Sequence, residues 1–266
     1  MSFQPVIPFS GYAGWAFLKR TMAVQQATLQ SGAAAKRDEA YFRANIGKID
    51  TAEQLVADRR LLSVALTAFG LEGDLGNKAF IRKVLEGGTL ASDSLANRLA
   101  NKQYQKLSAA FGFGDMAVPR NKISDFADRI LSQYATRQFE AAVGAQKNEY
   151  RIALNAEREI AALAGKSGSE DTKWYTVLGT APLREAFQTA LGLPSSFAAI
   201  DLDKQLSMIK AKAKAAFGSD TISQFADPAR LEKLVRTYIV RAEIGAVNAG
   251  ASSGSVALQL LAGLGR

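Results

Sequence analysis

The chain has 266 residues, 48% of them hydrophobic, which suffices for one large domain or two smaller ones with a sizeable core. It contains no cysteine and no histidine, which excludes disulfides, thiolate nucleophiles, histidine general bases and the usual zinc sites. The formal net charge is +8, but the basic residues are scattered among acidic ones, so we expect no nucleic-acid partner. A basic-surface binder of nucleic acid or another polyanion is the alternative.

The N-terminal part predicts an extended arm followed by an amphipathic helix. Pro5 and Pro8 prevent regular structure over residues 1–10, which also lack the features of a secretory signal. A helix is predicted over residues 12–31. One of its faces carries an apolar stripe at spacings of 3, 4 and 7, formed by Trp15, Leu18, Met22 and Leu29. This stripe either packs on the protein's own core or binds a partner helix.

Further helices follow in the first half of the chain. A short one is predicted near residues 36–46, and Thr51 with Gln54 forms a capping box that opens the next. Two more helices are predicted, one over residues 77–86 and one that Ser92 or Asp93 caps and that runs to Phe111, each closed by a glycine. From 122 to 164 the apolar pattern predicts one long central helix, which Gly144 could kink.

The segment 166–169 breaks the helical pattern and is the predicted boundary between two halves. The predicted organisation is an arm (1–10), a first helical half (11–165), a second helical half (170–247), and a flexible linker with a short apolar tail (248–266). In the second half, Asp227 and Pro228 open a helix that reaches about Val247. Residues 248–255 contain only alanine, glycine, serine and asparagine, a composition typical of linkers.

The C-terminal tail is a candidate partner-binding segment. Its apolar residues, predicted to share one helix face, are Val256, Leu260, Leu261 and Leu264. Isolated helices shorter than about 12–15 residues are marginal in water, so this segment must either fray or dock, on its own domain or on another chain.

The two halves share sequence. Residues 123–128 (ISDFAD) recur as residues 222–227 (ISQFAD), with five of six identical. Ala110-Phe111-Gly112 recurs as Ala216-Phe217-Gly218, and Ala68-Phe69-Gly70-Leu71 resembles residues 190–193. The order of these matches predicts an internally duplicated helical unit.

No segment carries a recognisable catalytic, cofactor or metal motif. The glycines of residues 70–76 lack the order of a dinucleotide fingerprint, and no phosphate-binding loop or nucleophile elbow occurs. Asp201 and Asp203 lack the glutamate of a calcium loop. No apolar stretch reaches the roughly 20 residues that span a bilayer. We therefore expect a protein that is not an enzyme and has no cofactor, metal or membrane span.

Several short motifs carry a resemblance to a known family. They are Trp15-x-Phe17-Leu18, Tyr41-Phe42, Asp58-Arg59-Arg60-Leu61-Leu62, Ala68-Phe69-Gly70-Leu71 and Ala110-Phe111-Gly112-Phe113. Together they resemble an uncharacterised alphaproteobacterial domain-of-unknown-function family, over about residues 11–247. Members of that family often lie among flagellar genes, so the resemblance implies a flagellum-related role and brings no catalytic residues.

The sequence predicts an all-α, multihelical fold with an internally duplicated unit, one long central helix, and a helix content above about 60%. The expected function is a non-enzymatic helical interaction or structural protein, an accessory to flagellar assembly that binds a protein partner or itself. The expected location is the cytoplasm, or outside the cell after export through a flagellar-type apparatus without a cleaved signal.

Overall fold

The computed structural model describes the backbone of residues 3–263 and the side chains of residues 3–248. Within that part of the chain the backbone forms thirteen α-helices, joined by loops and short 3-10 turns, and no strand. Helices account for 75% of the structure. The predictions of an all-α, multihelical fold and of a helix content above about 60% are thus confirmed.

The chain divides into two compact units. The first consists of residues 1–6 and 20–146, and the second of residues 7–19 and 147–266. The first helix, α1 (Gly11–Ser31), contributes residues to both units. The other helices of the first unit are α2 (Ala33–Asn45), α3 (Ala52–Ala57), α4 (Arg59–Ala68), α5 (Lys78–Glu86), α6 (Leu95–Arg98), α7 (Gln103–Phe111) and α8 (Phe126–Gly144).

The second unit is built on two helices that pack against the long C-terminal one. Helix α9 packs on α11 and α13, and α11 also packs on α13. The helices of this unit are α9 (Asn148–Ala164), α10 (Glu170–Gly179), α11 (Ala181–Leu191), α12 (Leu202–Phe217) and α13 (Pro228–Gly263).

The prediction of one long central helix over residues 122–164 is wrong. The structure has two helices there, α8 and α9, because α8 ends at Gly144 and Lys147 takes an extended conformation that starts α9. The units also divide between Gln146 and Lys147, before the segment 166–169 that the sequence suggested. Helix α9 belongs to the second unit because its apolar residues, among them Tyr150 and Ile160, are buried there.

The backbone of residues 248–263 corrects the predicted linker. Helix α13 runs without interruption from Pro228 to Gly263 and includes residues 248–255. Extending an existing helix avoids the cost of nucleation, so a segment rich in alanine and serine can continue it despite its glycines. Of the described helices, none is both long and apolar enough to cross a membrane.

Local capping signals in the sequence correspond to observed hydrogen bonds. The Gln54 backbone N–H donates to Thr51 Oγ1 at 3.2 Å, and Gln54 Oε1 accepts from the Asp50 N–H at 2.6 Å. Asp227 Oδ1 accepts from the Ala229 N–H at 2.9 Å at the start of α13. These contacts confirm both predicted helix starts.

The repeated segments form two aromatic corners with the same contacts. In the first unit the rings of Phe111 and Phe126 meet edge to face, with centroids 5.0 Å apart and planes at 71°. In the second unit Phe217 and Phe225 meet edge to face at 5.5 Å and 73°. Phe126 and Phe225 are both buried, so the repeated phenylalanine has the same role in each unit.

Residues 3–10 have no regular structure, as predicted, but they are held in place by side-chain hydrogen bonds. Gln25 of α1 accepts a hydrogen bond from the Val6 N–H at 2.6 Å and donates to the Val6 carbonyl at 3.1 Å. Gln146 donates to the Pro5 carbonyl at 2.6 Å. Three backbone groups of the segment are thereby satisfied by side chains.

Candidate functional site

A partly buried polar cluster in the second unit joins the start of α10 to the turn that precedes α13. Lys173 Nζ lies 2.6 Å from Ser223 Oγ and 3.2 Å from Glu170 Oε1, and the lysine side chain is almost fully buried. Ser223 Oγ donates to Glu170 Oε1 at 2.5 Å. Glu170 Oε2 accepts from the backbone N–H groups of Ile222 and Ser223 at 2.6 and 3.2 Å. One carboxylate thus holds the turn against α10.

The hydrogen bonds of this cluster, which we call the clamp, hold the turn in place and do not activate Ser223 as a nucleophile. A lysine can act as the general base for a serine nucleophile. Here the Ser223 hydroxyl accepts from the Lys173 ammonium and donates to Glu170, so its proton is directed away from the lysine. Burial opposes ionisation of Glu170, but hydrogen bonds from Ser223, Lys173 and Ile222 outweigh it and lower the pKa of Glu170 below its usual value.

A cleft in the first unit lies between the end of α1, α2 and α8. Its volume is about 240 Å³, below the roughly 300–1,000 Å³ of most small-molecule sites. Arg43 projects along it and forms ion pairs with Glu39, at 3.0 Å, and with Asp128. The three charged side chains that line the cleft, Glu39, Arg43 and Asp128, therefore pair with one another. No cluster of three or more acidic side chains that could hold a metal ion occurs among the residues the structure describes.

An exposed apolar row begins where α13 leaves the core of the second unit. Leu234, Tyr238 and Ile239 are buried. Immediately afterwards, Val240, Ile244 and Val247 are 38%, 54% and 64% exposed. Their spacings of 4 and 3 place them on one face of the helix, as at the seam of a coiled coil. We call these three residues the α13 seam.

The last charged residues of α13 face their own unit. A Cβ atom on Gly11, the first residue of α1, would fall 1.9 Å from Glu243 Oε2, so this carboxylate lies at the N-terminus of α1. Such a position is favourable because helix N-termini attract anions. A Cβ on Gly192 would fall 2.2 Å from Arg241 Nη1. In the sequence, no charged residue follows Glu243 until Arg266.

A second exposed apolar surface lies on two loops of the first unit, residues 87–91 and 112–119. Asp115 joins them by accepting hydrogen bonds from the Thr89 N–H at 2.7 Å, the Thr89 hydroxyl at 2.8 Å and the Leu90 N–H at 3.1 Å. A Cβ on Gly114 would lie 2.2 Å from the Glu86 carbonyl oxygen, so only glycine allows this approach. We call this arrangement the Asp115 loop pair.

The Asp115 loop pair presents apolar side chains from an ordered base. Leu90, Met116 and Val118 are exposed on it. Burial opposes ionisation of Asp115, but the hydrogen bonds from Thr89 and Leu90, aided by Arg120, lower the pKa of Asp115 below its usual value. Sequence reasoning missed this surface because its two loops are 26 residues apart at the Thr89–Asp115 contact. The only local signal was the glycines.

The predicted apolar stripe of α1 is divided by the structure. Trp15 and Leu18 are buried in the second unit, where the Trp15 and Tyr150 rings lie 6.0 Å apart. Met22 and Leu29 belong to the first unit and are half-buried. This corrects the partner-binding prediction for Trp15 and Leu18, because side chains in the core present no surface to a partner.

The other predicted partner-binding residues lie outside the described side chains. They are Val256, Leu260, Leu261 and Leu264. The α13 seam precedes them on the same chain segment. Sequence reasoning did not single it out, because Val240, Ile244 and Val247 were assigned to the body of the last helix of the second half. Only the burial pattern separates their face from the core face.

Comparisons with known proteins add a family and a fold. Residues 68–231 match the model of a family described as "Protein of unknown function (DUF1217)". The X-ray crystal structure of protein AGR_C_984 from Agrobacterium tumefaciens is similar at 24% identity, with a TM-score of 0.74, over 91% of this chain and 99% of that one. Curated proteins yield no match. The structural similarity concerns the fold alone, and the matched family range ends before the α13 seam.

Proposed function

The chain belongs to the DUF1217 family, and from this premise we propose that it is a non-enzymatic helical interaction protein that binds another helix through the α13 seam, as an accessory to flagellar assembly. The observation that carries the proposal is the exposed row of Val240, Ile244 and Val247 on a helix that continues to Gly263. Exposed apolar rows at this spacing are typical of helix–helix interfaces.

Two further observations support an interaction protein over an enzyme. The Glu170–Lys173–Ser223 cluster satisfies its own hydrogen bonds, and the charged groups that line the small cleft near Arg43 pair with one another. The flagellar part of the proposal rests on the resemblance of the sequence motifs to proteins often encoded among flagellar genes. The aromatic corners shared by the two units also support the interpretation of a duplicated scaffold.

A pair of matched substitutions tests the proposal in cells that carry the gene. Val247→Asp adds one charge to the α13 seam, and Ala246→Asp adds the same charge at an exposed position on another face of the same turn. In a strain whose own gene is deleted, we expect Val247→Asp to fail to restore swimming and filament number, whereas Ala246→Asp restores both.

Two results would contradict this proposal. If the deletion strain swims and builds filaments normally, the flagellar role is wrong. If Val247→Asp restores function as well as Ala246→Asp does, the α13 seam is not the binding surface.

The competing function is binding of nucleic acid or another polyanion through the basic excess of the chain. Its motivation is the formal net charge of +8. Phosphate contacts make affinity fall steeply with salt, so duplex DNA titrated by fluorescence anisotropy at several salt concentrations separates the two proposals. We expect no saturable, salt-dependent binding; a steep salt slope would favour the polyanion binder.

A further inference from the structure

We infer that the occupant of the α13 seam is the same helix of a second copy of this chain, paired parallel and in register. The inference rests on the proposed function, since it names the partner helix of the same surface. It places Val240, Ile244 and Val247 of one chain opposite the same residues of the other. The two copies would then form a dimer joined at one helix and related by a two-fold axis.

The seam is long enough for such a pairing. In the sequence, the spacings of 4 and 3 continue from Val247 through Ala251, Gly254, Leu258 and Leu261. The backbone of α13 is helical as far as Gly263. From 240 to 261 the series covers three heptads, or about 32 Å at 1.5 Å per residue. A 4–3 apolar repeat over three to four heptads with charged residues beside it is the usual signal of a coiled coil; this series has three heptads, includes Gly254 and has no charged residue beside it after Glu243.

The charge pattern points to an identical partner. Coiled coils that select a different partner use charged residues beside the seam, which attract the correct helix and repel the wrong one. From Ile244 to Gly265 the sequence has no charged residue, so nothing beside the seam repels a second copy. At the start of the seam, Arg236 and Arg241 are exposed; Arg236 also stacks on the Tyr12 ring at 4.8 Å, and Arg241 lies beside Gly192 of its own unit.

The residue sizes favour the parallel, in-register arrangement. In that arrangement Ile244 meets Ile244, and the small residues Ala251 and Gly254 each meet their own counterparts. The two helices can then approach closely at the level of these small residues. Larger residues on either side of that level fill the space between the helices. In the antiparallel arrangement centred on Ala251, Val247 would lie opposite Ser255 and beside Gly254, and these small residues would leave a gap.

The absence of cysteine from the chain makes the test direct. The full chain is prepared with one cysteine at a time, as Val247→Cys on the seam or Ala246→Cys on another face of the same turn. Sedimentation first measures whether the unmodified protein is a dimer. Mild oxidation then cross-links cysteines only where their Cα atoms lie about 4.4–6.8 Å apart. We expect a dimer, with Val247→Cys cross-linking about tenfold faster than Ala246→Cys or more.

Leu258→Cys determines the orientation. In a parallel, in-register pair it meets its own counterpart and cross-links as a single variant. In the antiparallel pair it would cross-link only when mixed with Ile244→Cys. Cross-linking that requires this mixture would therefore overturn the parallel arrangement.

The remaining outcomes separate the inference from the proposed function. A monomer in sedimentation, or equal cross-linking at positions 246 and 247, overturns self-pairing through the α13 seam. If Val247→Asp nevertheless abolishes swimming, the seam binds a different helix and the proposed function stands. If the protein is a seam-linked dimer while Val247→Asp swims normally, the self-pairing holds and the proposed flagellar role fails.

Discussion

The two units place the same short sequence in different surroundings. Each contains a helix that ends in Phe-Gly and a following Ile-Ser-x-Phe segment whose phenylalanine packs edge to face on the first. The isoleucines that begin these two segments, Ile123 and Ile222, differ in how deeply they are buried. Ile222 is fully buried in the second unit, whereas Ile123 is 51% exposed in the first. Similarity of sequence therefore preserved the aromatic corner but not the environment of its neighbours.

The difference follows from the length of the connection. Phe111 and Phe126 are 15 residues apart, whereas Phe217 and Phe225 are 8 apart. The seven additional residues of the first unit form part of the Asp115 loop pair. The direct connection of the second unit keeps Ser223 against Glu170 and Lys173. The connection in the first unit thus forms an exposed surface, whereas the connection in the second unit is held by the Glu170–Lys173–Ser223 cluster.

A second correspondence lies at the helix ends that precede these corners. The Leu71 N–H donates to the Leu66 carbonyl at 2.8 Å, and the Leu193 N–H donates to the Gln188 carbonyl at 2.9 Å. The glycines that close these turns, Gly70 and Gly192, have φ of +71° and +61°. Both helix ends are therefore Schellman motifs, which a glycine permits at little cost.

The largest expected effects test what the units share. Phe126→Ala and Phe225→Ala each remove a buried ring, and each should lower the free energy of unfolding by roughly 3–5 kcal/mol. Guanidinium unfolding followed by circular dichroism measures both. If one substitution costs little while the other is severe, the two corners are not equivalent supports of their units.

The next prediction concerns the isoleucines, whose burial differs between the two units. Ile222→Ala should cost about 2–5 kcal/mol because it opens a cavity, whereas Ile123→Ala at the matching position should stay within about 0.5 kcal/mol. The same unfolding experiment compares them. Equal costs would contradict the difference in burial between Ile222 and Ile123.

A smaller difference is expected at the neighbouring serine. Ser223→Ala leaves Lys173 and Glu170 without a shared partner, and loss of such partly buried hydrogen bonds to charged groups costs about 1–3 kcal/mol. Ser124 is exposed, so Ser124→Ala should change the free energy of unfolding by less than about 0.5 kcal/mol. A neutral Ser223→Ala would mean that the clamp contributes nothing to stability.

The smallest expected effect is a change in the free energy of unfolding at acidic pH. The pKa values of Glu170 and Asp115 are lowered in the folded protein, so each stabilises it above its unfolded pKa of about 4. That stabilisation is lost as the pH falls through the folded pKa. The stability gap between the natural protein and Glu170→Gln or Asp115→Asn should therefore shrink between pH 7 and pH 3.

Urea unfolding at several pH values provides the measurement for this prediction. The matched control is Asp93→Asn, because Asp93 is exposed. A gap for Glu170→Gln that widens in acid would contradict the assigned sign.

The sequence by itself determined the helical class and many of the helix ends. Caps such as Thr51 with Gln54, Asp227 before Pro228, and the glycine stops act between residues at most five apart, so the sequence displays both partners together. The same locality explains why the repeated Phe-Gly segments were visible. The prediction of α13 as two pieces failed because propagation of an existing helix overrides the low propensity of a few glycines.

Tertiary structure decided which faces are buried. It assigned α9 to the second unit, placed Trp15 and Leu18 in the core, and left the α13 seam exposed. It also brought Glu170 and Lys173 to Ser223 across about 50 residues of chain. Apolar periodicity shows that a helix has a face to cover but not what covers it, because burial depends on packing between distant segments.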